Sequence, residues 1–438
     1  MDSLLHSLLR EAESNCDLKV KSLQLASDCL WLVYFESIVS CQDTIDFIWN
    51  SGIISSDSFN DICNRLMGKE LYSEEMNELH NGKVVVLDSQ GERAFSFQGK
   101  LLTLTREIEK PENEFMPFSS GIAFVESLTT NIGLLRNAIK AQFLVAEGYT
   151  FHGKATKKAS LIYHSKQVDK ELLHQIRSLL QEASGKDLQS GQDLIKILGC
   201  NRFNFFPPFF RTEVPMQAIS SMMSGRVLLM IEGDPVAYVL PIIFSDFIAL
   251  EWDKQLPILL MLGVRCIRLL SLVIALLAPG FYVALVSVNP EALRIELALS
   301  VASSRIGIPL PTFLEMLFLM TVSEIIIEAT QRLPKVIAAS VTVSGGIILG
   351  TAIVDAKLVS NLVIIIASVS GTASFAFPNY FNSLTIRIMR IGIIVLSAMF
   401  GLFGLFGGFI AICFYFCGIE RFSVPFLSFL NSKKIGQS

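Results

Sequence analysis

The chain has 438 residues, 36 Lys/Arg against 40 Asp/Glu, a formal net charge of −4 and 51% apolar residues. Its mean hydropathy of +0.51 is above that of a typical soluble domain. The charge is unevenly spread: residues 1–221 hold 22 Lys/Arg and 28 Asp/Glu, whereas 222–438 hold 14 and 12. An acidic soluble half therefore precedes a membrane-like half, and the length admits two or three domains.

The first stretch, MDSLLHSLLREAESNCDLK, lacks a basic n-region and a cleavage site, so the soluble half is expected in the cytoplasm. Eight cysteines (16, 29, 41, 63, 200, 266, 413, 417) form no CxxC pair and no ligand spacing with the five histidines, which reads as free thiols in a reducing compartment. LLHSLLREAE has helical periodicity, and CLWLVYFESI (29–38) reads as a strand. DSFNDICNRLMGKELYSEEMNELHNG is expected to be helical up to Asn81-Gly82. KVVVLDSQGERAFSFQGKLLTL (83–104) is expected to form a hairpin about the turn residues 88–91. The acidic, proline-bearing stretch 106–121 marks a boundary between two small α/β units.

The second unit opens with a helix, ESLTTNIGLLRNAIK (126–140). YTFHGKATKKASLIYH (149–164) reads as two strands around a basic turn at Lys154, Lys157 and Lys158. That turn comes with no aromatic platform and no glycine-rich phosphate loop, so it reads as solvated, and nucleic acid is not an expected partner. VDKELLHQIRSLLQEA (168–183) is an amphipathic helix, FNFFPPFFRTEVPMQ (203–217) a connector, and SGRVLLMIEGDPVAYVLPII (224–243) a hairpin. The fold class expected is an α/β N-terminal region of two subdomains followed by an all-α membrane domain. The boundaries are 1–110, 111–223, a hairpin linker at 224–250, a helical domain of four to six spans at 251–420, and a cytoplasmic tail at 421–438.

Four runs are candidate spans: 258–288, with a break expected at Pro279-Gly280, 336–354, 358–378 and 389–417. Arg265 and Arg268 are expected to snorkel to the interface at the start of the first. With Arg421, Lys433 and Lys434 after the last, the basic residues place both termini on the cytoplasmic side. Four crossings fit, or six if 291–330 also crosses. The pairs Gly346/Gly350 and Gly404/Gly408 have the GxxxG spacing that lets helix backbones approach in lipid.

One stretch resists an inert membrane reading: EIIIEATQRLPK (324–335) carries four charges inside the apolar half. On a helical wheel Thr321, Glu324, Glu328, Gln331 and Arg332 fall within an arc of about 100°. Glu328 and Arg332 form an i, i+4 pair in the favourable order, while Glu315 projects elsewhere and needs its own partner. Two readings stay open: an interfacial helix with solvated acids, or a polar stripe beside a water-filled path that attracts cations. The chain lacks HExxH, GxSxG, P-loop and GxGxxG motifs in a fitting context, so neither catalysis nor a cofactor is expected.

An ordered series of stretches resembles the A subunit of the GerA-type spore germinant receptors. They are ESLTTNIGLLRNAIK (126–140), RTEVPMQAISSMMSGRVLLMIEGDPVAYVLP (211–241), PGFYVAL (279–285), SSRIGIPLPTFLEML (303–317), EIIIEATQRLP (324–334), GTAIVDAKLVSN (350–361), FAFPNY (375–380) and FGLFG (400–404). The resemblance implies a permease-like B subunit and a lipoprotein C subunit as partners. It also implies a location in the spore inner membrane and a ring of A subunits, a pentamer, around a ligand-gated cation path. On that reading the stripe borders the path. Two departures mark a diverged paralogue: LEWDKQLP (250–257) keeps Asp253 without the family's tyrosines, and EALRIELAL (291–299) lacks a proline. A solute transporter and a membrane-tethered scaffold are the competing functions.

Overall fold

The computed structural model describes residues 8–9, 12, 15–24, 29–51, 59–66, 69–71, 79, 83–88, 93–100, 122–139, 143–153, 156–183, 185–186, 188, 191–199, 204–377 and 380–427. The chain divides into two compact units. One is 1–242 with 421–424 and 430–438; the other is 243–420 with 425–429.

The first unit contains two antiparallel sheets. In the first, β1 (Leu18–Gln24), β2 (Cys29–Phe35), β3 (Lys69–Leu71), β4 (Lys83–Leu87) and β5 (Ala94–Gln98) lie in the order β1-β2-β4-β5-β3. CLWLVYF is nearly continuous in apolar residues because both faces of the sheet are covered. Leu30, Leu32 and Tyr34 pack on one face with Val84, Val86, Phe95 and Phe97, against Ile48 of α1 (Cys41–Asn50) and Ile62 of α2 (Phe59–Arg65). Val33, Phe35, Val85 and Leu87 pack on the other. The expected hairpin at 83–104 is present as β4 and β5. The expected helix running to Asn81 is not: it stops at Arg65, and Lys69–Leu71 pairs with β5. An open sheet edge leaves backbone groups unpaired, and that demand overrides local helical periodicity. The expected boundary at 106–121 and most of LLHSLLREAE lie outside the described residues.

The second sheet runs β6 (Leu144–His152), β7 (Thr156–His164), β9 (Val227–Ile231), β10 (Ala237–Leu240), β8 (Phe210–Thr212). The hairpin expected as a separate linker thus supplies two strands of this sheet, and the connector 203–217 supplies an edge strand. Lys157 and Lys158 sit on β7 itself, while Lys154 is outside the described residues. Helix α3 (Leu128–Ile139) precedes β6. Helix α4 (Lys170–Glu182) lays Leu172, Leu173, Ile176 and Leu180 on Leu161, Leu229 and Tyr238. It starts at Asp169, whose carboxylate accepts from the backbone N–H groups of Glu171 (2.9 Å) and Leu172 (3.4 Å). Helices α5 (Gly191–Ile197) and α6 (Pro215–Met223) complete the unit.

Two charged nodes stiffen it. Asp17, almost fully buried, accepts from the Ser37 N–H (2.9 Å), the Ser37 hydroxyl (2.7 Å) and Nε of Arg136 (2.5 Å), whose guanidinium lies 4.0 Å over the Phe35 ring. This joins the first sheet to α3. On the second sheet Glu147 accepts from Tyr163 (2.6 Å), Tyr149 (3.2 Å) and Arg177 of α4. Burial, followed by Glu147, raises the phenol pKa values of Tyr163 and Tyr149 above the ordinary range. Burial also raises those of Tyr34 and Tyr238.

A raised folded-state pKa means that the unfolded chain sheds these phenolic protons first. Their stabilisation is full below the ordinary tyrosine pKa of about 10 and is lost as pH rises beyond it. Melting of the first unit, followed by near-ultraviolet circular dichroism, is expected to shift downward above about pH 10. Glu147→Gln is expected to bring the Tyr163 titration closer to the ordinary value.

In the second unit, α7 (Ile258–Val283) continues into a π-helical turn at Ala284–Val288. Then come α8 (Ile295–Ser304), α9 (Thr312–Gln331), α10 (Lys335–Asp355), α11 (Asn361–Ser374) and α12 (Tyr380–Gly418). Among the described residues three helices are long and apolar enough to cross a membrane: Ile258–Val288, Ile337–Asp355 and Phe381–Gly418. The four expected spans are therefore corrected at three places. The 358–378 run yields a helix of 14 residues, about 21 Å at 1.5 Å per residue and short of a bilayer core. The break expected at Pro279-Gly280 does not occur, because α7 runs through Pro279 and changes only at Ala284.

The 389–417 run is broken at Gly401, whose φ of +60° and ψ of −137° leave the helical region. The chain turns back there. A Cβ at Gly404 would collide with the Leu396 carbonyl oxygen, and one at Gly408 would lie 3.1 Å from the Leu396 side chain and 3.5 Å from that of Ile393. The contacting residues lie on opposite sides of the break, as antiparallel segments require. At Gly404 and Gly408 the two segments of the helix therefore lie close together. Gly346 and Gly350 have no heavy atom within 4 Å of an added Cβ.

Candidate functional site in the helical unit

Carboxylates at apolar depth are costly unless paired and hydrogen-bonded. The helical unit meets this requirement three times. Asp253, in the turn Glu251–Gln255, is fully buried and forms a two-pronged pair with Arg268 of α7 at 2.6 and 2.9 Å. The Leu250 N–H adds a third bond at 3.0 Å, and Arg265 stands 3.6 Å away. Arg268 also donates to the Ile248 carbonyl at 2.8 Å. It does not snorkel as expected, since two parallel charge-assisted bonds outweigh solvation of one end.

Glu315, the acid that needed a partner, is also fully buried. It accepts from Arg305 at 2.8 Å and from the Ser360 N–H at 3.0 Å. These bonds tie the start of α9 to the loop after α8 and to the start of α11.

The third node dismantles the polar stripe. Glu324 accepts from Arg387 at 2.7 Å and from Arg390 at 3.0 Å, both on α12. The arginine side chains are 2% and 1% exposed, and that of Glu324 is 26% exposed. The second Nη of Arg390 donates to the Ser370 hydroxyl at 3.0 Å, and this hydroxyl donates to the Ala275 carbonyl at 2.9 Å. Ala275 lies four residues before Pro279, which has no N–H, so its carbonyl has lost its helical partner. Ser370 replaces the missing donor, as polar neighbours do at prolines inside membrane helices. One continuous chain of polar contacts therefore links α7, α11, α12 and α9.

The other stripe residues lie apart from this node. Glu328 and Arg332 form the expected i, i+4 pair at 2.7 Å, exposed to the surroundings. Thr321 donates to the Leu317 carbonyl of its own helix at 2.8 Å, and Gln331 is exposed at the end of α9. The five residues do not converge on one site: Glu324 is held inside the unit, and the rest face outward. Arg387 and Arg390 went unnoticed in the sequence. Their signal was two cations three residues apart in the apolar run 381–418, which contains no acid to balance them.

A family model described as "Bacillus/Clostridium GerA spore germination protein" matches residues 6–437. "Spore germination protein XA" of Bacillus anthracis is 26% identical over 441 residues, spanning 96% of this chain and 89% of that protein. "Spore germination protein B1" of Bacillus subtilis (strain 168) is 30% identical over 321 residues, 73% of this chain and 66% of the relative. The crystal structure of the N-terminal domain of the A subunit of the Bacillus megaterium spore germinant receptor GerK3 gives a TM-score of 0.40 at 19% identity. That comparison covers 55% of this chain and 94% of that one. The order of motifs from 126 to 404 thus lies inside a match of nearly the whole length, and the chain belongs to the GerA spore germination protein family.

Proposed function

We propose that the chain is the A-type subunit of a nutrient germinant receptor in the spore inner membrane, with both termini on the cytoplasmic side. It works with a permease-like B subunit that senses the nutrient and a lipoprotein C subunit. A ring of A subunits, a pentamer, encloses a ligand-gated cation path. The observation that carries this reading is the family match from residue 6 to 437, which takes in both the α/β and the helical unit. Among the described residues three helices are long and apolar enough to cross a membrane, and the fold-back of the last at Gly401 makes four apolar segments, the even number that two cytoplasmic termini require.

Within this reading the stripe has two roles. Glu324, clamped by two arginines, is withdrawn from the path. Glu328, exposed and paired only within its own helix to the exposed Arg332, is the acid placed to meet a passing cation. Glu328→Gln in a reconstituted receptor complex is expected to change the rate or cation selectivity of ion release without altering assembly. Release identical to the parent's in both respects removes Glu328 from the path.

A second reading, a solute transporter, is favoured by one observation. The helix breaks at Ala284–Asn289 and at Gly401 meet, with Asn289 Oδ1 accepting from the Leu402 N–H at 3.0 Å. Interrupted helices that meet in a bundle are how many transporters build a binding site. Saturable, counter-ion-coupled solute uptake by vesicles holding the complex would select this reading over ion release.

A further inference from the structure

Residues 321–352 form a helical hairpin, from the second half of α9 through the turn before Pro334 to most of α10. None of its described side chains is buried. Both of its ends are anchored in one apolar cluster, where Met316 and Met320 precede it, Ile353 follows it, and Tyr282, Val363 and Ile394 complete the packing. The hydroxyls of Thr321, Ser323, Thr330, Thr342 and Thr351 all donate to carbonyls of their own helices, and Glu328 pairs with Arg332 inside the hairpin. Apart from bonds within α9 and α10 themselves, Glu324 makes, among the described residues, the only polar contacts between the hairpin and the rest of the unit.

In hydrocarbon, exposed apolar surface costs nothing, so burial does not hold such a hairpin in place, and polar ties and packing decide where it rests. Here the polar tie is concentrated in one carboxylate. Its partners are themselves fixed: Arg390 is moored to Ser370, and Ser370 to the carbonyl freed by Pro279.

We propose that Glu324 is the latch of a movable helical hairpin: residues 321–352 swing about the Met320/Ile353 anchor, and the grip of Arg387 and Arg390 on Glu324 sets the resting position. Ser370 is a positioning residue for that grip. The proposal goes beyond the receptor reading and does not depend on the chain conducting ions.

The test uses the full-length chain in lipid nanodiscs, with spin labels on unnatural amino acids at Val343 and Phe403. A reference pair is placed at Leu269 and Phe403, and labelled chains are diluted into unlabelled ones. Pulsed dipolar spectroscopy reads the two distance distributions. The parent is expected to give one narrow distribution for each pair. In Glu324→Gln the Val343–Phe403 pair is expected to gain a second population, the ratio of displaced to resting hairpin rising about tenfold or more, while the reference pair is unchanged.

Ser370→Ala strands no charge and is expected to produce a smaller shift in the same pair, so it decides the matter if Glu324→Gln does not fold. Glu324→Asp, which keeps the charge, is expected to restore part of the resting population. An unchanged Val343–Phe403 distribution in the folded variants overturns the proposal. Equal broadening of both pairs also overturns it, because Glu324 would then be a staple of the whole unit.

Discussion

Gly404→Val is expected to abolish the fold-back of the last long helix, lowering the stability of the full chain by about 3 kcal/mol or more. The obstacle is backbone: an added Cβ would collide with the carbonyl oxygen of Leu396 and lie 2.6 Å from its carbonyl carbon, and no rotamer change moves either atom. Gly280 offers an instructive contrast. Its added Cβ would meet side-chain atoms of Ile393 at 2.8 Å and of Ser397 at 2.9 Å, which can yield by rotation, so Gly280→Ala is expected to be milder. Gly346→Val and Gly350→Val meet open space and are expected to leave the melting of the detergent-solubilised single chain unchanged. Thermal melts of the four variants check the ranking. A Gly404 variant as stable as the parent would mean that the two segments of the helix do not touch.

Asp253→Ala is expected to destabilise the helical unit by about 3–5 kcal/mol, since it strands Arg268 inside the protein. The lost carboxylate accepts two bonds from Arg268 and one from the Leu250 N–H, and Arg265 loses a neighbour 3.6 Å away. The double variant Asp253→Ala/Arg268→Met is expected to recover most of that loss, because it removes the buried charge together with its partner. Melting temperatures of the two single variants and the double close the cycle. Additive losses would show that Asp253 and Arg268 act independently.

Both predictions concern features that local pattern reveals only in part. The β2 run CLWLVYF and the α4 pattern of Leu172, Leu173, Ile176 and Leu180 announce their structure because strand and helix periods act over neighbouring residues. The Glu328–Arg332 pair was legible for the same reason. Lys69–Leu71 was not, since its strand conformation comes from pairing with β5 rather than from its own residues. Among the small-residue pairs, spacing alone could not separate Gly404/Gly408 from Gly346/Gly350. What differs is whether a backbone stands opposite, and only the turn at Gly401 brings one there.

The order of residues settled, without coordinates, that an acidic α/β half precedes an apolar helical one and that the motifs run in the order of one germination family. Composition and motif order are properties of the chain read linearly. Folding in space decided the fate of the acids. Glu324 meets Arg387 and Arg390 at sequence separations of 63 and 66 residues, and Asp253 meets Arg268 around a corner. A buried charge takes whichever counter-charge the packing brings within about 3 Å, and no sequence period encodes that distance.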